Sequence, residues 1–177
     1  MCKRNININP KYWGDSIWRF IDLCCDNFCV NNCDKFLKFM YLMKFVIPCE
    51  TCRRHYSNFY DANRYELINY INRIDKRNVN GWIDACKGVS NKRVTRESRK
   101  PKFTNDDLIR ILTALSIIEN EEYYREVVSV INHFYPFYTY KFINVATPLE
   151  LAFITKQFMK TNEPVRFKRE LFSLVVV

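Results

Sequence analysis

The sequence predicts an all-α fold. Three observations carry that expectation. Apolar residues recur at helical spacing through most of the chain. Polar residues suited to helix caps stand just ahead of those runs. Only three glycines occur among 177 residues, and alternating strand-like patterns are scarce.

The elements follow in order. Asn9 and Pro10 precede "KYWGDSIWRFIDLCCDNF", in which Trp13, Ile17, Phe20 and Cys24 follow a helical period and Ile21 joins them. Asp34 is positioned to cap "KFLKFMYLMKFVI", whose Phe36, Leu37, Met40, Met43 and Ile47 share a face. This segment is apolar nearly all round, so burial is expected. Pro48 interrupts it, and a new helix is expected from Cys49 to about Tyr60. A further short helix is expected at "RYELINYINRI", with Leu67, Ile68, Ile71 and Ile74 inward. From 76 to 103 the periodicity fails and a loop is expected. Helices resume with Thr104 capping "NDDLIRILTALSII", then "EEYYREVVSVINHF". "TPLELAFITKQFMK" opens on a capping box of Thr147 and Glu150 with Pro148 between them. "FYPFYTYKFINV" is the best strand candidate.

The formal net charge is +9. Such a balance suits an anionic partner or a solvated basic surface and does not bear on fold. Positions 91 to 102 hold six positive charges and one negative with no aromatic interleaved. That pattern reads as a solvated basic loop and argues against a nucleic-acid site. The polar start "MCKRNININP" lacks the apolar run of a signal peptide, and no stretch reaches the ~20 apolar residues that span a bilayer. A reducing compartment is therefore expected, and there spaced cysteines read as metal ligands or redox catalysts.

Eight cysteines are present, and "VIPCETCRRHY" contains the most informative two. Cys49, placed at the first turn of a helix after Pro48, faces unpaired backbone N–H groups and the positive end of the helix dipole. Arg53 and Arg54 add positive charge one turn on. Both effects favour thiolate. A C-x-x-C at a helix start also brings two sulfurs within disulfide reach. The local chemistry thus suits dithiol–disulfide exchange. A zinc site is the competing reading, with Cys29 and Cys33 joining Cys49 and Cys52, or His55 completing the set. Cys24 and Cys25 read as packing residues. A thioredoxin-like context is excluded because an apolar helix, not a strand, precedes the pair.

"NPKYWGDSIW", an apolar helix and then "IPCETCRRHY" together resemble the Erv/ALR family of FAD-linked sulfhydryl oxidases, closest to its small viral, poxvirus-like members. The resemblance covers about residues 9 to 60. It implies an Erv-like helical bundle binding FAD, with residues 1–80 as the oxidase core and 81–103 as a basic linker. Residues 104–177 are then either a helical extension or a diverged completion of the bundle. It further implies that Cys52 lies against the flavin and that Cys49 receives the incoming thiolate. Trp18 would pack on the ring, with Gly14 and Ser16 in the same cofactor-contacting turn and His55 and Tyr56 near the cofactor. The family's H-N-x-V-N motif is missing. "INYIN" is its nearest fit, with Asn69 and Asn72 in the asparagine places and Ile68 for histidine. Asp22 stands where many members carry histidine.

The implied reaction is 2 R–SH + O₂ → R–S–S–R + H₂O₂. Protein thiols are the clients, reached directly or through a thioredoxin-like or small viral relay protein. The resemblance also implies a homodimer, and a location in the cytoplasm of an infected cell or the virion. Cys29 and Cys33, or Cys2, are candidates for a second, shuttle pair. The alternatives are a zinc-binding interaction module and an oxidase fold kept as a non-catalytic scaffold.

Overall fold

Pro10 opens the first helix, where its missing N–H leaves no intrahelical bond unmade. The computed structural model describes residues 10–88, 101–115 and 120–135. All regular structure among them is helical: α1 (Pro10–Asn27), α2 (Cys33–Val46), α3 (Glu50–Asn72), α4 (Lys76–Cys86), α5 (Asn105–Leu115) and α6 (Glu121–Phe134). The all-α expectation holds. The helix expected after Thr147, the strand candidate beyond Tyr135, Cys2 and positions 91–100 of the basic run lie outside the described residues, and Phe134, the first residue of that candidate, ends α6.

α1 buries Trp13, Ile17, Phe20, Ile21 and Cys24, the periodic face read from the sequence, together with Ser16 and Cys25. α2 starts two residues earlier than expected, at Cys33 rather than Lys35. Asn32 is its N-cap and Asp34 lies in the first turn, where a carboxylate meets the helix dipole. The Asn32 side chain instead closes the preceding turn, accepting from the Cys29 N–H at 2.7 Å.

Two expectations need correction. Residues 49–60 and 64–74 are not separate helices, because α3 runs unbroken over 23 residues. The join "DANR" contains no glycine or proline, and Asn63 bonds the Phe59 carbonyl one turn back at 2.9 Å. The stretch from 76 is not loop at first, because α4 occupies it through Cys86, across the boundary expected at residue 80. α3 ends in a Schellman arrangement, with Asp75 N–H donating to the Tyr70 carbonyl at 2.9 Å and Ile74 N–H to the Ile71 carbonyl at 3.0 Å. Ile74 takes the left-handed position at φ 55°. Asp75 then caps α4, accepting from the Asn78 N–H at 3.1 Å.

The later helices are tied to the first two. Thr104 and Asp107 form a capping box: the Thr104 hydroxyl accepts from the Asp107 N–H, and the Asp107 carboxylate from the Thr104 N–H at 3.0 Å. The same carboxylate is buried against α1, where it accepts from Ser16 Oγ and Arg19 Nη1, each at 2.8 Å. Phe103 meets Phe20 with ring centroids 5.4 Å apart. α6 packs on α2 through Phe134 on Phe36, Tyr123 on Phe45 and the Lys38–Glu126 ion pair. Residues 104–135, so far as they are described, therefore complete the bundle rather than extend from it. α2 packs against α3 and α6, while Tyr41 and Phe45 on the same helix stay 46% and 38% exposed. No described helix is long and apolar enough to cross a membrane.

Candidate active site

α2 ends at Val46, and only Ile47, Pro48 and Cys49 separate it from α3. Cys49 is the N-cap of α3, in an extended conformation. Its sulfur accepts from the Cys52 backbone N–H at 3.3 Å, taking the role that a serine or aspartate oxygen usually plays. Arg53 reaches back and donates to the Ile47 carbonyl at 3.1 Å, closing the connection. One turn later the buried Tyr56 hydroxyl donates to the Met40 carbonyl at 2.6 Å. Together these bonds fix the start of α3 against the end of α2.

The two thiols differ in acidity. Burial alone would raise Cys49, but hydrogen bonds from the Cys52 side chain and from the Cys52 and Thr51 N–H groups, with the Arg53 charge, hold it below the ordinary value. Cys52 is pushed up to about 11, first by burial and then by its bond to Cys49 and the charge there. In the dithiol state Cys49 is thus the more acidic of the two thiols and Cys52 the less acidic. Cys49 lies just beneath the surface and is 8% exposed.

Cys52 looks into a cavity of about 420 Å³ formed by α1, the end of α2, the start of α3 and the end of α4. Trp13, Ile17, Trp18, Met43 and Ile47 form apolar walls, and Thr51, Cys52, His55 and Lys87 supply polar groups. That volume and mixture are those of small-molecule sites, which run from ~300 to ~1,000 Å³. Gly14 opens on the same space, and a Cβ built there meets no heavy atom within 4 Å. A mid-helix glycine costs about 1 kcal/mol against alanine, and no protein neighbour requires one here. Room left at Gly14, flat aromatic walls and a thiol at the edge fit a planar redox ring.

The cavity gathers five of the residues expected from the sequence: Gly14, Trp18, Cys52, His55 and Tyr56. Cys49 stands next to it through Cys52. Ser16 lies elsewhere: it is 1% exposed and its hydroxyl serves Asp107, so its role in the structure is to join α1 to α5. Asn69 and Asn72 are exposed near the far end of α3, and Asn69 is about 25 Å along the helix from Cys52. Cys29 lies in the turn before α2 and Cys33 is the first residue of that helix, while Cys49 follows its end. The length of α2, about 20 Å, therefore separates the two cysteine pairs. The four-cysteine zinc set is not assembled, and no group of three or more metal-ligating side chains is found among the described residues. Cys24 and Cys25 are fully buried, as packing residues are.

Sequence reading missed the other lining residues, among them Trp13, Met43, Thr51, Cys86 and Lys87. The last two hang on α4, whose signals were present: Asp75 as a cap, Val79, Trp82, Ile83 and Cys86 at helical spacing, and Gly88 beyond the end at φ 71°. Cys86 is buried, and burial pushes its thiol up to about 12. It is therefore a protonated wall. No family model, curated protein or solved structure matches the chain.

Proposed function

We propose that this chain is a flavin-linked sulfhydryl oxidase that forms disulfides in protein thiols, with Cys49 and Cys52 as the redox pair and FAD as the cofactor. The observation that carries the reading is the position of Cys52. It faces an aromatic-walled cavity while its partner Cys49 caps the same helix, with its sulfur accepting from the Cys52 N–H and its thiol made more acidic there. The resemblance to the Erv/ALR oxidases in "NPKYWGDSIW" and "IPCETCRRHY" supports the same assignment.

Trp18, Gly14, His55 and Tyr56 would hold the cofactor alongside Cys52. FAD, when bound, supplies a two-electron acceptor that dioxygen reoxidises to give hydrogen peroxide. The chain's own task is thiol exchange. A client thiolate attacks Cys49 of the Cys49–Cys52 disulfide, forming a mixed disulfide and releasing the Cys52 sulfur toward the cavity. Two of the three influences that raise Cys52 come from Cys49 and vanish while Cys49 is bonded to the client. Cys52 is then a better leaving group than in the dithiol. The client's second thiol releases Cys49 and completes its own disulfide. Arg53 and the N-terminus of α3 favour the thiolate form of Cys49 when the pair is reduced.

The test is colour and oxygen uptake. The purified chain should be yellow, and it should consume oxygen with a dithiol substrate. Cys49→Ser and Cys52→Ser should each abolish that uptake. A colourless, metal-free protein that takes up no added FAD would instead mark a scaffold, and an active Cys52→Ser enzyme would remove the pair from the chemistry.

A further inference from the structure

Lys87 brings a charge to the cavity wall. It follows the last residue of α4, and its Nζ lies 3.4 Å from both carboxylate oxygens of Asp22 and 5.2 Å from the centre of the Trp18 ring. Trp18 and Asp22 are four residues apart on α1 and so share a face. Both charged side chains are largely shielded from water, at 18% exposure for Lys87 and 16% for Asp22. Among the described lining residues Lys87 alone carries a fixed charge. Its contacts to Asp22 are longer than the ~2.7–2.9 Å of a strong charge-assisted bond. The ammonium is therefore not fully committed to the carboxylate.

The arrangement is neutral at rest, because Asp22 balances Lys87. That suits a ligand group that is neutral in one state and negative in another. A permanently charged phosphate would meet the Asp22 carboxylate as well, and like charges in a shielded site repel strongly. The wall beside Lys87 is Trp18, and Trp13 and Ile17 line the same cavity, which suits a ring rather than a phosphate.

We propose that Lys87 holds the negative charge a flavin acquires when the Cys49–Cys52 dithiol reduces it, and that Asp22 tempers Lys87 while the flavin is oxidised. The inference rests on the flavin reading above. In the step concerned, an oxidised flavin and two thiols give a disulfide, a singly anionic reduced flavin and one proton released to water. Two electrons pass from sulfur to the ring, and Lys87 answers the charge left there. Lys87 thus acts on the midpoint potential, and Asp22 acts in the opposite direction.

The experiment measures two quantities on the full chain with Lys87→Met, Lys87→Arg and Asp22→Asn. They are the affinity of the flavin-free protein for oxidised FAD and for riboflavin, and the midpoint potential of the bound flavin. Lys87→Met should leave both oxidised affinities within a few-fold. It should lower the potential by at least about 30 mV, a tenfold loss of preference for the reduced form. Asp22→Asn should raise the potential, and Lys87→Arg should keep it near the unchanged chain. Loss of FAD affinity with riboflavin unaffected would make Lys87 a phosphate ligand and overturn the proposal. Unchanged potentials, or shifts of the same sign in Lys87→Met and Asp22→Asn, would overturn it while leaving the flavin reading intact. An unchanged chain that binds no flavin would end both. If Lys87→Met does not fold, Asp22→Asn and Lys87→Arg decide the matter: a raised potential in the first with an unchanged one in the second supports the proposal, and no rise in Asp22→Asn overturns it.

Discussion

Gly14→Ala separates what the fold wants from what the cavity wants. Gly14 sits inside α1, and a methyl there meets no protein atom within 4 Å. Alanine in a helix interior is favoured over glycine by about 1 kcal/mol. For a chain of 177 residues that corresponds to a rise of roughly 2–4 °C in Tm. The methyl projects into the space assigned to the flavin, where crowding a filled site costs about 1–3 kcal/mol. A tenfold weaker ligand gives back ~1.4 kcal/mol of linked stability. Thermal unfolding followed by circular dichroism, with the flavin-free protein and again at saturating FAD, reads both effects. The variant should melt higher than the unchanged chain without flavin and no higher, or lower, with it. An equal gain in both conditions would mean that nothing binds against Gly14. No gain without flavin would mean that the glycine meets a requirement of the fold itself.

Three further outcomes follow from the same geometry. In the reduced protein, iodoacetamide should label Cys49 with a midpoint below that of an ordinary cysteine, while Cys52, raised to about 11, stays unlabelled near neutral pH; peptide mass mapping across pH 6–11 checks the order. Asp107→Asn should cost about 2 kcal/mol in urea unfolding, since it weakens a helix cap and leaves Arg19 without its carboxylate. The Asp107 carboxyl is depressed in the folded chain: burial opposes this, but bonds from Ser16, Thr104 and Arg19 outweigh it. Its contribution is therefore complete above about pH 4 and lost as pH falls through the folded value, so the variant should lose less stability on acidification. Replacing Cys29 and Cys33 together with serine should leave oxidation of a small dithiol unchanged, because α2 separates them from Cys49; a matching loss on small and protein substrates would instead assign them to the fold.

Much of this was legible in the sequence because the signals were local. The α1 periodicity, the cap at Thr104 and the apolar α2 each depend on residues within one or two turns. The cysteine pair was legible for the same reason, since an N-cap and an arginine one turn on are neighbours in the chain. α4 was misread because its charges and two nearby glycines resembled a loop, and because Ile74 rather than glycine takes the left-handed turn residue that announces it. Ser16 was misassigned for a different reason. Its partner Asp107 lies 91 residues away, and no local pattern carries such a pairing. Lys87 and Cys86 were missed as site residues once α4 was lost, since only its return along α3 brings them to the cavity.

Every described residue that lines the cavity comes from positions 10–87, while the clasp between Ser16, Arg19 and Asp107 joins segments some 90 residues apart. During synthesis the walls of the site therefore leave the ribosome before the helices that secure them. α3 and α4 are neighbours in sequence, so they close on one another across a short loop at small entropic cost. α5 and α6 must bridge back over a much longer span to cover Phe20 and Phe36. The order of assembly puts chemistry first and fastening second. Mutations that loosen the clasp should accordingly shorten the lifetime of the finished molecule more than they change the shape of the site it carries.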